Sequence, residues 1–188
     1  MISASILKAA DQAARWHEDQ RRKGSKGEPY INHLLEVAAL VAEAEPDNTD
    51  AIVAALLHDA MEDQPVTREQ ISGHFGKNVA AIVEECTDDK SLAKELRKQL
   101  QIETAAQKSR DAKLVKIADK TSNLRSIASS PPAHWPAERR RAYIDWSVAV
   151  VEAGLLGASA QLDARFEEAK IVAYRTVEND QSAPPAAS

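Results

Sequence analysis

Four side chains that can bind metal or transfer protons lie close together in the middle of the chain. His58 and Asp59 end the apolar run Ala54–Leu57, and Glu62 and Asp63 follow within one helical turn. Burying a histidine–aspartate pair at the end of an apolar segment costs free energy unless a partner such as a cation compensates. Carboxylates three and four positions apart share a helical face and repel one another, which a cation between them would relieve. The mixture of imidazole and carboxylate groups favours Mn²⁺, Fe²⁺ or Zn²⁺ over the all-oxygen sites of Mg²⁺ and Ca²⁺.

Two residues elsewhere in the chain could complete such a metal site. His33 follows the segment 29–32, and Asp119 interrupts the largely apolar segment 114–118. Two protein ligands alone hold a metal weakly, so additional ligands are expected. A single histidine or aspartate on an apolar helix is, however, more often a hydrogen-bonded core residue than a ligand. Taken separately, His33 and Asp119 are therefore candidates only.

The net charge of the chain limits the classes of ligand that it can bind. The formal net charge is −5, which argues against a general nucleic-acid-binding protein because phosphate neutralisation dominates such binding. An anionic ligand would instead need a local basic cluster. The segment Arg21–Lys26 offers one, although a solvated turn is the alternative interpretation. A second basic run, Arg139–Arg141, fits a solvated helix face.

The elements that must position these groups are predicted to be helices. Helix-forming residues dominate, and only six glycines occur in 188 residues. We predict an all-α helical bundle of about eight to ten helices, forming one domain over 1–178, and a disordered tail over 179–188. Thr67 to Gln70 has the form of a capping box that opens a short helix. The predicted helices cover 4–20, 32–45, 49–61, 67–74, 79–85, 91–108, 111–127, 136–155 and 158–177.

The remaining composition suggests a soluble cytoplasmic protein. Cys86 is the single cysteine, so an internal disulfide is excluded and a reducing compartment is expected. No segment approaches the roughly 20 apolar residues that a membrane helix needs. We therefore expect neither membrane insertion nor nucleic-acid binding. The aromatic residues Trp135, Tyr143 and Trp146 have near-helical spacing and are predicted to pack into the core, with stacking of Tyr143 on a base as the alternative interpretation.

Several of these segments recur, in the same order, in one known family. The chain resembles the HD-domain hydrolases of RelA/SpoT proteins, which degrade the alarmone (p)ppGpp, and is most similar to the stand-alone form found as the metazoan SpoT homologue and bacterial small alarmone hydrolases. An HD pair alone is common to many phosphohydrolases, and the following Glu62-Asp63 is what indicates the alarmone branch. The resemblance covers about residues 4–175. Its motifs here are Arg22-Lys23, Pro29-Tyr30-Ile31-Asn32-His33, Ala54-Ala55-Leu56-Leu57-His58-Asp59, Glu62-Asp63, Lys116-Ile117-Ala118-Asp119-Lys120 and Asn123-Leu124-Arg125.

The resemblance implies a role for each matching position. The chain would be a Mn²⁺-dependent 3′-pyrophosphohydrolase of ppGpp and pppGpp that releases GDP or GTP and pyrophosphate. Glu62 and Asp63 would position and deprotonate the attacking water. The nucleotide or its phosphates would be contacted by Arg22, Lys23 and Asn123. The metal ligands would be His33, His58, Asp59 and Asp119.

The chain also departs from the family pattern. Leu34 stands where relatives usually have proline, and Thr121-Ser122 replaces larger or aromatic residues. The change at 121–122 could alter the pocket for the base or ribose. Two alternatives therefore stay open: an HD-type phosphatase of another nucleotide, such as one that removes the 2′-phosphate of NADPH, and a non-catalytic nucleotide-binding module.

Overall fold

The structure, a computed structural model, describes residues 4–182, with side chains described to residue 180. Within that range the chain is all α-helical, as predicted, and only an isolated antiparallel bridge between Arg21 and Pro29 interrupts the pattern. A short 3-10 turn, Ala105–Gln107, precedes the longest internal helix. The helices are α1 (Ala4–Trp16), α2 (Ile31–Ala44), α3 (Thr49–Leu57), α4 (Ala60–Asp63), α5 (Arg68–Phe75), α6 (Lys77–Cys86), α7 (Lys94–Glu103), α8 (Arg110–Ser129), α9 (Ala137–Glu152) and α10 (Ala160–Ser182).

Local sequence signals account for several helix ends. The predicted capping box is confirmed: the Thr67 hydroxyl accepts a hydrogen bond from the Gln70 amide, and the Gln70 side chain accepts one from the Thr67 amide. Gly76 separates α5 from α6 with φ +94°, a left-handed conformation that favours glycine. The hydroxyl of Ser109 and the side chain of Asn48 cap α8 and α3 in the same way.

The prediction of one continuous helix over 49–61 is wrong. α3 ends at Leu57, and His58 and Asp59 form a tight turn before α4 starts at Ala60. Apolar periodicity does not detect this break because both residues keep right-handed backbone angles. The break directs the His58 and Asp59 side chains to one point instead of around a continuous helix surface.

α3 and α8 lie at the centre of the bundle. Every residue from Ala51 to Leu57 is buried, which is the pattern of a helix packed on all sides. α8 is buried from Leu114 through Ser122 and packs against α2, α3, α6, α9 and α10. Polar groups on these two helices are therefore held away from water and must find partners inside the protein.

The C-terminal boundary differs from the prediction. α10 continues to Ser182, so the expected end of ordered structure at 178 is too early, and the rest of the predicted tail, 183–188, lies outside the described residues. An ion pair helps to hold the last turns, because Arg140 donates to Asp180 at 2.6 Å. Arg140 is itself buried, so the basic run on α9 is not wholly a solvated face. None of the helices within 4–182 has the length and apolar character needed to cross a membrane.

Candidate metal centre and adjoining cavity

Two imidazoles and two carboxylates converge in the centre of the bundle. The Nε2 atom of His33 lies 3.3 Å from Asp119 Oδ1, and the Nε2 atom of His58 lies 3.1 Å from Asp59 Oδ2. The two crossed imidazole–carboxylate distances, from His33 to Asp59 and from His58 to Asp119, are both 3.8 Å. The structure therefore brings together all four of the residues expected to bind the metal, although they come from three separate parts of the chain.

Three elements place these four side chains. His33 lies in the first turn of α2, Asp119 in the middle of α8, and His58 and Asp59 in the turn after α3. His33 and His58 are each nearly inaccessible to solvent, at 3% and 2%. Since α2, α3 and α8 pack directly on one another, the spacing of the four groups is fixed by the core.

The hydrogen bonds around the cluster leave its metal-facing atoms free. His58 Nδ1 donates to the carbonyl oxygen of Ala55 at 2.8 Å, so in the neutral ring the lone pair is on Nε2. That Nε2 atom is buried and has no hydrogen-bond partner among the described residues. Tyr30 donates its hydroxyl to Asp59 at 2.7 Å, and Asn123 donates to Asp119 at 2.6 Å. An orphaned imidazole nitrogen beside two oriented carboxylates fits a divalent cation.

The electrostatics of the cluster also favour a cation. Burial works against the charge of Asp119, but Lys120 and the two imidazoles outweigh it and hold the pKa of this carboxyl well below its usual range. Burial likewise opposes the imidazolium of His58, yet the carboxylates of Asp59 and Asp119 raise its pKa well above the usual range. Burial lowers the pKa of His33, which keeps that ring neutral. The carboxylates thus stay charged and attract either a proton on His58 or a metal ion.

We expect metal binding to release the proton that His58 holds in the metal-free protein. Because the folded-state pKa of His58 is raised, that proton is present below this pKa and must leave before Nε2 can bind metal. Apparent Mn²⁺ affinity should fall as the pH is lowered, by about tenfold per pH unit while one proton is displaced. The same proton stabilises the metal-free fold at pH values below the pKa that His58 has in the unfolded chain. That contribution to stability disappears as the pH rises through the pKa of His58 in the folded protein.

Calorimetric titration with Mn²⁺ in two buffers of different ionisation enthalpy measures this proton directly. The expected result is about one proton released per metal at neutral pH. Equal heats in both buffers, together with an affinity that does not depend on pH, would contradict the assignment of His58.

A cavity of about 340 Å³ adjoins the metal cluster. Tyr30 and Asn123 line it and are the same residues that donate to Asp59 and Asp119, so they form the boundary between the cavity and the cluster. Arg22 also lines it, and its guanidinium donates to Asn123 Oδ1 at 2.9 Å and to Ser126 Oγ at 3.0 Å. The residues predicted to contact substrate are all in this wall: Arg22, Lys23 and Asn123.

The two predicted proton-transfer residues face different surroundings. Asp63 lines the cavity and is contacted by Gln20, which donates to it at 2.7 Å, and by Lys90, which pairs with it. Glu62 is not part of the cavity wall; its Oε2 accepts from the Asp88 amide at 3.1 Å. Burial raises the pKa of Glu62, against a smaller opposing effect of that amide. Although they are adjacent in sequence, the two carboxylates therefore contact different segments of the chain.

The cavity wall also contains residues beyond those predicted to contact substrate. Trp135 and Tyr143 line the cavity with ring centroids 5.6 Å apart, although near-helical spacing predicted both as core residues. Gln20 and Tyr30 also belong to the wall. Periodicity cannot separate an aromatic core residue from one that borders an internal cavity, because both lie on the apolar face.

Thr121 and Ser122, which differ from the residues usual in the family, do not change the cavity wall. Neither residue lines the cavity. The Thr121 hydroxyl donates to the Ile117 carbonyl oxygen within α8, and the Ser122 hydroxyl contacts Nδ1 of His33 at 2.9 Å. Ser122 therefore contacts a residue of the candidate metal site and does not contribute to a base or ribose pocket.

Comparison with known proteins agrees with this geometry. The HD domain model matches residues 9–143. The chain is 47% identical over 163 residues to the human guanosine-3′,5′-bis(diphosphate) 3′-pyrophosphohydrolase, covering 86% of this chain and 90% of the human protein. The Drosophila melanogaster protein of the same name is 42% identical over 167 residues, covering 88% of this chain and 93% of the Drosophila protein.

A longer bacterial protein and a solved structure give the same result. The Escherichia coli bifunctional (p)ppGpp synthase/hydrolase SpoT is 38% identical over 122 residues, which is 62% of this chain and 17% of that protein. The solved structure of a metazoan SpoT orthologue, described as hydrolysing ppGpp, superposes with a TM-score of 0.84 at 39% identity and covers 96% of this chain and 97% of its own.

Proposed function

We propose a function from the premise that the chain belongs to the HD-domain family, in the branch of the guanosine-3′,5′-bis(diphosphate) 3′-pyrophosphohydrolases. It hydrolyses the 3′-diphosphate of ppGpp and pppGpp, giving GDP or GTP and pyrophosphate, and it depends on Mn²⁺. The observation that supports this function best is the position of the four-ligand cluster directly behind a cavity with a basic and amide wall. A diphosphate bound in that cavity lies within reach of Arg22 and Lys23, which line it.

The donor set suits the metal. His33, His58, Asp59 and Asp119 would hold it, and mixed imidazole–carboxylate sets favour Mn²⁺, Fe²⁺ or Zn²⁺. A bound divalent ion of this kind acidifies water and polarises a phosphoryl oxygen. The family resemblance favours Mn²⁺ among the three.

The side chains of the chain itself supply binding and proton transfer. Arg22 is held in place by Asn123 and Ser126 and directs positive charge into the cavity. Asp63 lies in the same wall and accepts a proton from the attacking water. Glu62, whose pKa is raised by burial, accepts from the Asp88 amide and thereby fixes the short helix that carries Asp63. Trp135 and Tyr143 offer aromatic faces on which a nucleobase can stack.

The experiment is a substrate and metal panel with purified protein. ppGpp, pppGpp, NADPH and ordinary nucleotides are each incubated with Mn²⁺, Mg²⁺ or Zn²⁺, and products are separated by ion-exchange chromatography. We expect GDP or GTP and pyrophosphate from the alarmones, fastest with Mn²⁺. Failure to release pyrophosphate from ppGpp with any of the three metals would refute the proposal.

NADPH is the second candidate substrate. Stacking on Trp135 and Tyr143 tolerates any nucleobase because every base presents a flat π-face. The phosphate-binding groups Arg22 and Lys23 can likewise accept a ribose phosphate. Phosphate released from NADPH at a kcat/KM above that for ppGpp would make this the principal activity.

Arg22 is expected to contribute strongly to substrate binding. Replacement of Arg22 with glutamine should lower kcat/KM for ppGpp by about 10- to 150-fold, mainly by raising KM, because a charge-assisted hydrogen bond is worth roughly 1.5–3 kcal/mol. Arg15→Gln is the matched control, since the exposed Arg15 side chain pairs with Asp11 on α1 and does not line the cavity. Steady-state kinetics should show the control within about twofold of wild type, and equal losses in both variants would contradict the role of Arg22.

A further inference from the structure

We propose that Glu36 and Ser122 form a hydrogen-bond relay that positions His33 as a metal ligand and increases its affinity for the ion. This inference rests on the proposed metal site. Glu36 and Ser122 act by orienting His33, and neither residue lines the cavity.

The direction of each hydrogen bond in the relay follows from its partners. The Ser122 hydroxyl lies 2.7 Å from Glu36 Oε2 and 2.9 Å from His33 Nδ1. A carboxylate can only accept, so the single hydroxyl proton of Ser122 is donated to Glu36. The serine oxygen must then accept from His33 Nδ1–H. The relay therefore places the ring proton of His33 on Nδ1 and leaves the lone pair on Nε2.

That lone pair points to the metal cluster. His33 Nε2 is the atom that lies 3.3 Å from Asp119 and 3.8 Å from Asp59. Negative charge at Glu36, transmitted through one hydroxyl, makes the imidazole more electron-rich and therefore a stronger ligand. It also holds the ring plane, since rotation about the side chain would break the bond to Ser122.

The two histidines of the cluster are oriented by different means. His58 Nδ1 donates to the main-chain carbonyl of Ala55, which every side-chain substitution leaves in place. His33 depends instead on two side chains that lie 86 residues apart in sequence. Ligand orientation at His33 can therefore be changed by substitution without touching a ligand or the cavity.

The surroundings of Ser122 strengthen the hydrogen bonds of the relay. Ser122 is 1% exposed and His33 is 3% exposed, so water does not compete for the bond between them. Glu36 lies nearer the surface, where its second oxygen accepts from Arg125 at 2.9 Å. This ion pair fixes the carboxylate and keeps its other oxygen directed at Ser122.

The relay is tested by measuring Mn²⁺ affinity in the full-length chain without nucleotide, by competition with a fluorescent chelator. Ser122→Ala should weaken Mn²⁺ binding by about 10- to 100-fold, the range found when partners of metal-binding histidines are removed. Glu36→Gln should weaken it less, within about tenfold, since the amide oxygen can still accept from Ser122. Because Glu36 acts only through the hydroxyl, the double variant should match Ser122→Ala within about twofold.

Thr121→Val is the matched control. It removes a neighbouring buried hydroxyl from the same helix, one that bonds only to the Ile117 carbonyl oxygen. Mn²⁺ affinity in Thr121→Val should stay within about twofold of wild type. In the Zn²⁺-loaded protein, the His33 Nδ1–H proton should give a downfield, slowly exchanging NMR resonance in wild type and in the control, and exchange rapidly in Ser122→Ala.

Three results would overturn the relay. Equal Mn²⁺ affinities for Ser122→Ala and Thr121→Val would show that the relay does not affect metal binding. A further loss when Glu36→Gln is added to Ser122→Ala would show that Glu36 acts by another route. Unchanged exchange of the His33 Nδ1–H proton in Ser122→Ala would show that the hydroxyl is not its partner. All three measurements omit the nucleotide, so they stand even if ppGpp is not the substrate.

Discussion

Replacement of Asp59 with asparagine is expected to abolish hydrolysis of ppGpp by removing the metal. Asparagine keeps the shape of the side chain, and its carbonyl oxygen can still accept from Tyr30, which now donates at 2.7 Å. It loses the negative charge that lies 3.1 Å from His58 Nε2. We expect Mn²⁺ affinity to fall by more than about 100-fold, beyond the roughly 10- to 100-fold that follows loss of an outer hydrogen-bond partner.

The measurements are metal content after purification, Mn²⁺ affinity by chelator competition, and pyrophosphate release from ppGpp. Asp11→Asn is the matched control, since it makes the same chemical change at an exposed carboxylate that pairs only with Arg15. The control should retain wild-type metal content and activity. An Asp59→Asn protein that binds Mn²⁺ as tightly as the control would show that Asp59 is not a ligand.

Replacement of Asp63 with asparagine is expected to remove catalysis and leave metal binding intact. Asp63 faces the cavity but is not one of the four clustered groups, so Mn²⁺ affinity should stay within about twofold of wild type. Loss of a general base typically costs about 10²- to 10⁴-fold in rate, and kcat should fall within that range. The two effects separate proton transfer from metal binding.

Glu62→Gln is the companion variant and should lower kcat less than Asp63→Asn. The Glu62 carboxylate accepts from the backbone N–H of Asp88 and does not line the cavity. In Glu62→Gln, the side-chain amide oxygen can still accept that hydrogen bond. Asp145→Asn, an exposed carboxylate bonded to the Tyr174 hydroxyl, controls for the charge change. Single-turnover rates measured at saturating Mn²⁺ decide the order. A larger loss in Glu62→Gln than in Asp63→Asn would make Glu62 the principal base.

Much of the fold was predictable because it depends on interactions a few residues apart. The apolar 3.6-residue period, the capping box at Thr67 and the glycine at position 76 act within a single helix or its ends. These signals were sufficient to predict an all-α bundle and most helix positions. They failed at residues 58–59, where a turn interrupts an apolar segment without any change in composition.

The residues of the candidate metal site were predictable for a different reason. His58, Asp59 and Asp119 are polar groups in apolar surroundings, and such residues need compensation wherever they are buried. His33 and Asp119 were each candidates from the sequence, and the resemblance to a known family then implied that both belong to one site with His58 and Asp59. Sequence alone could not show that Glu62 and Asp63 have different partners, since both belong to one helical turn and those partners, Asp88 and Gln20, come from other segments.

The amino-acid sequence by itself determined most of the helical segments, which polar residues resist burial without a partner, and therefore which chemistry the chain can perform. Only the tertiary structure decided that residues 33, 58, 59 and 119 meet at distances of 3.1–3.8 Å, that Trp135 and Tyr143 border a cavity, and that Glu36 reaches His33 through Ser122. The reason is that local periodicity specifies the buried face of a helix but not the helix that will cover it. That choice depends on how α2, α3 and α8 pack together, and it brings side chains up to 89 residues apart into hydrogen-bond contact.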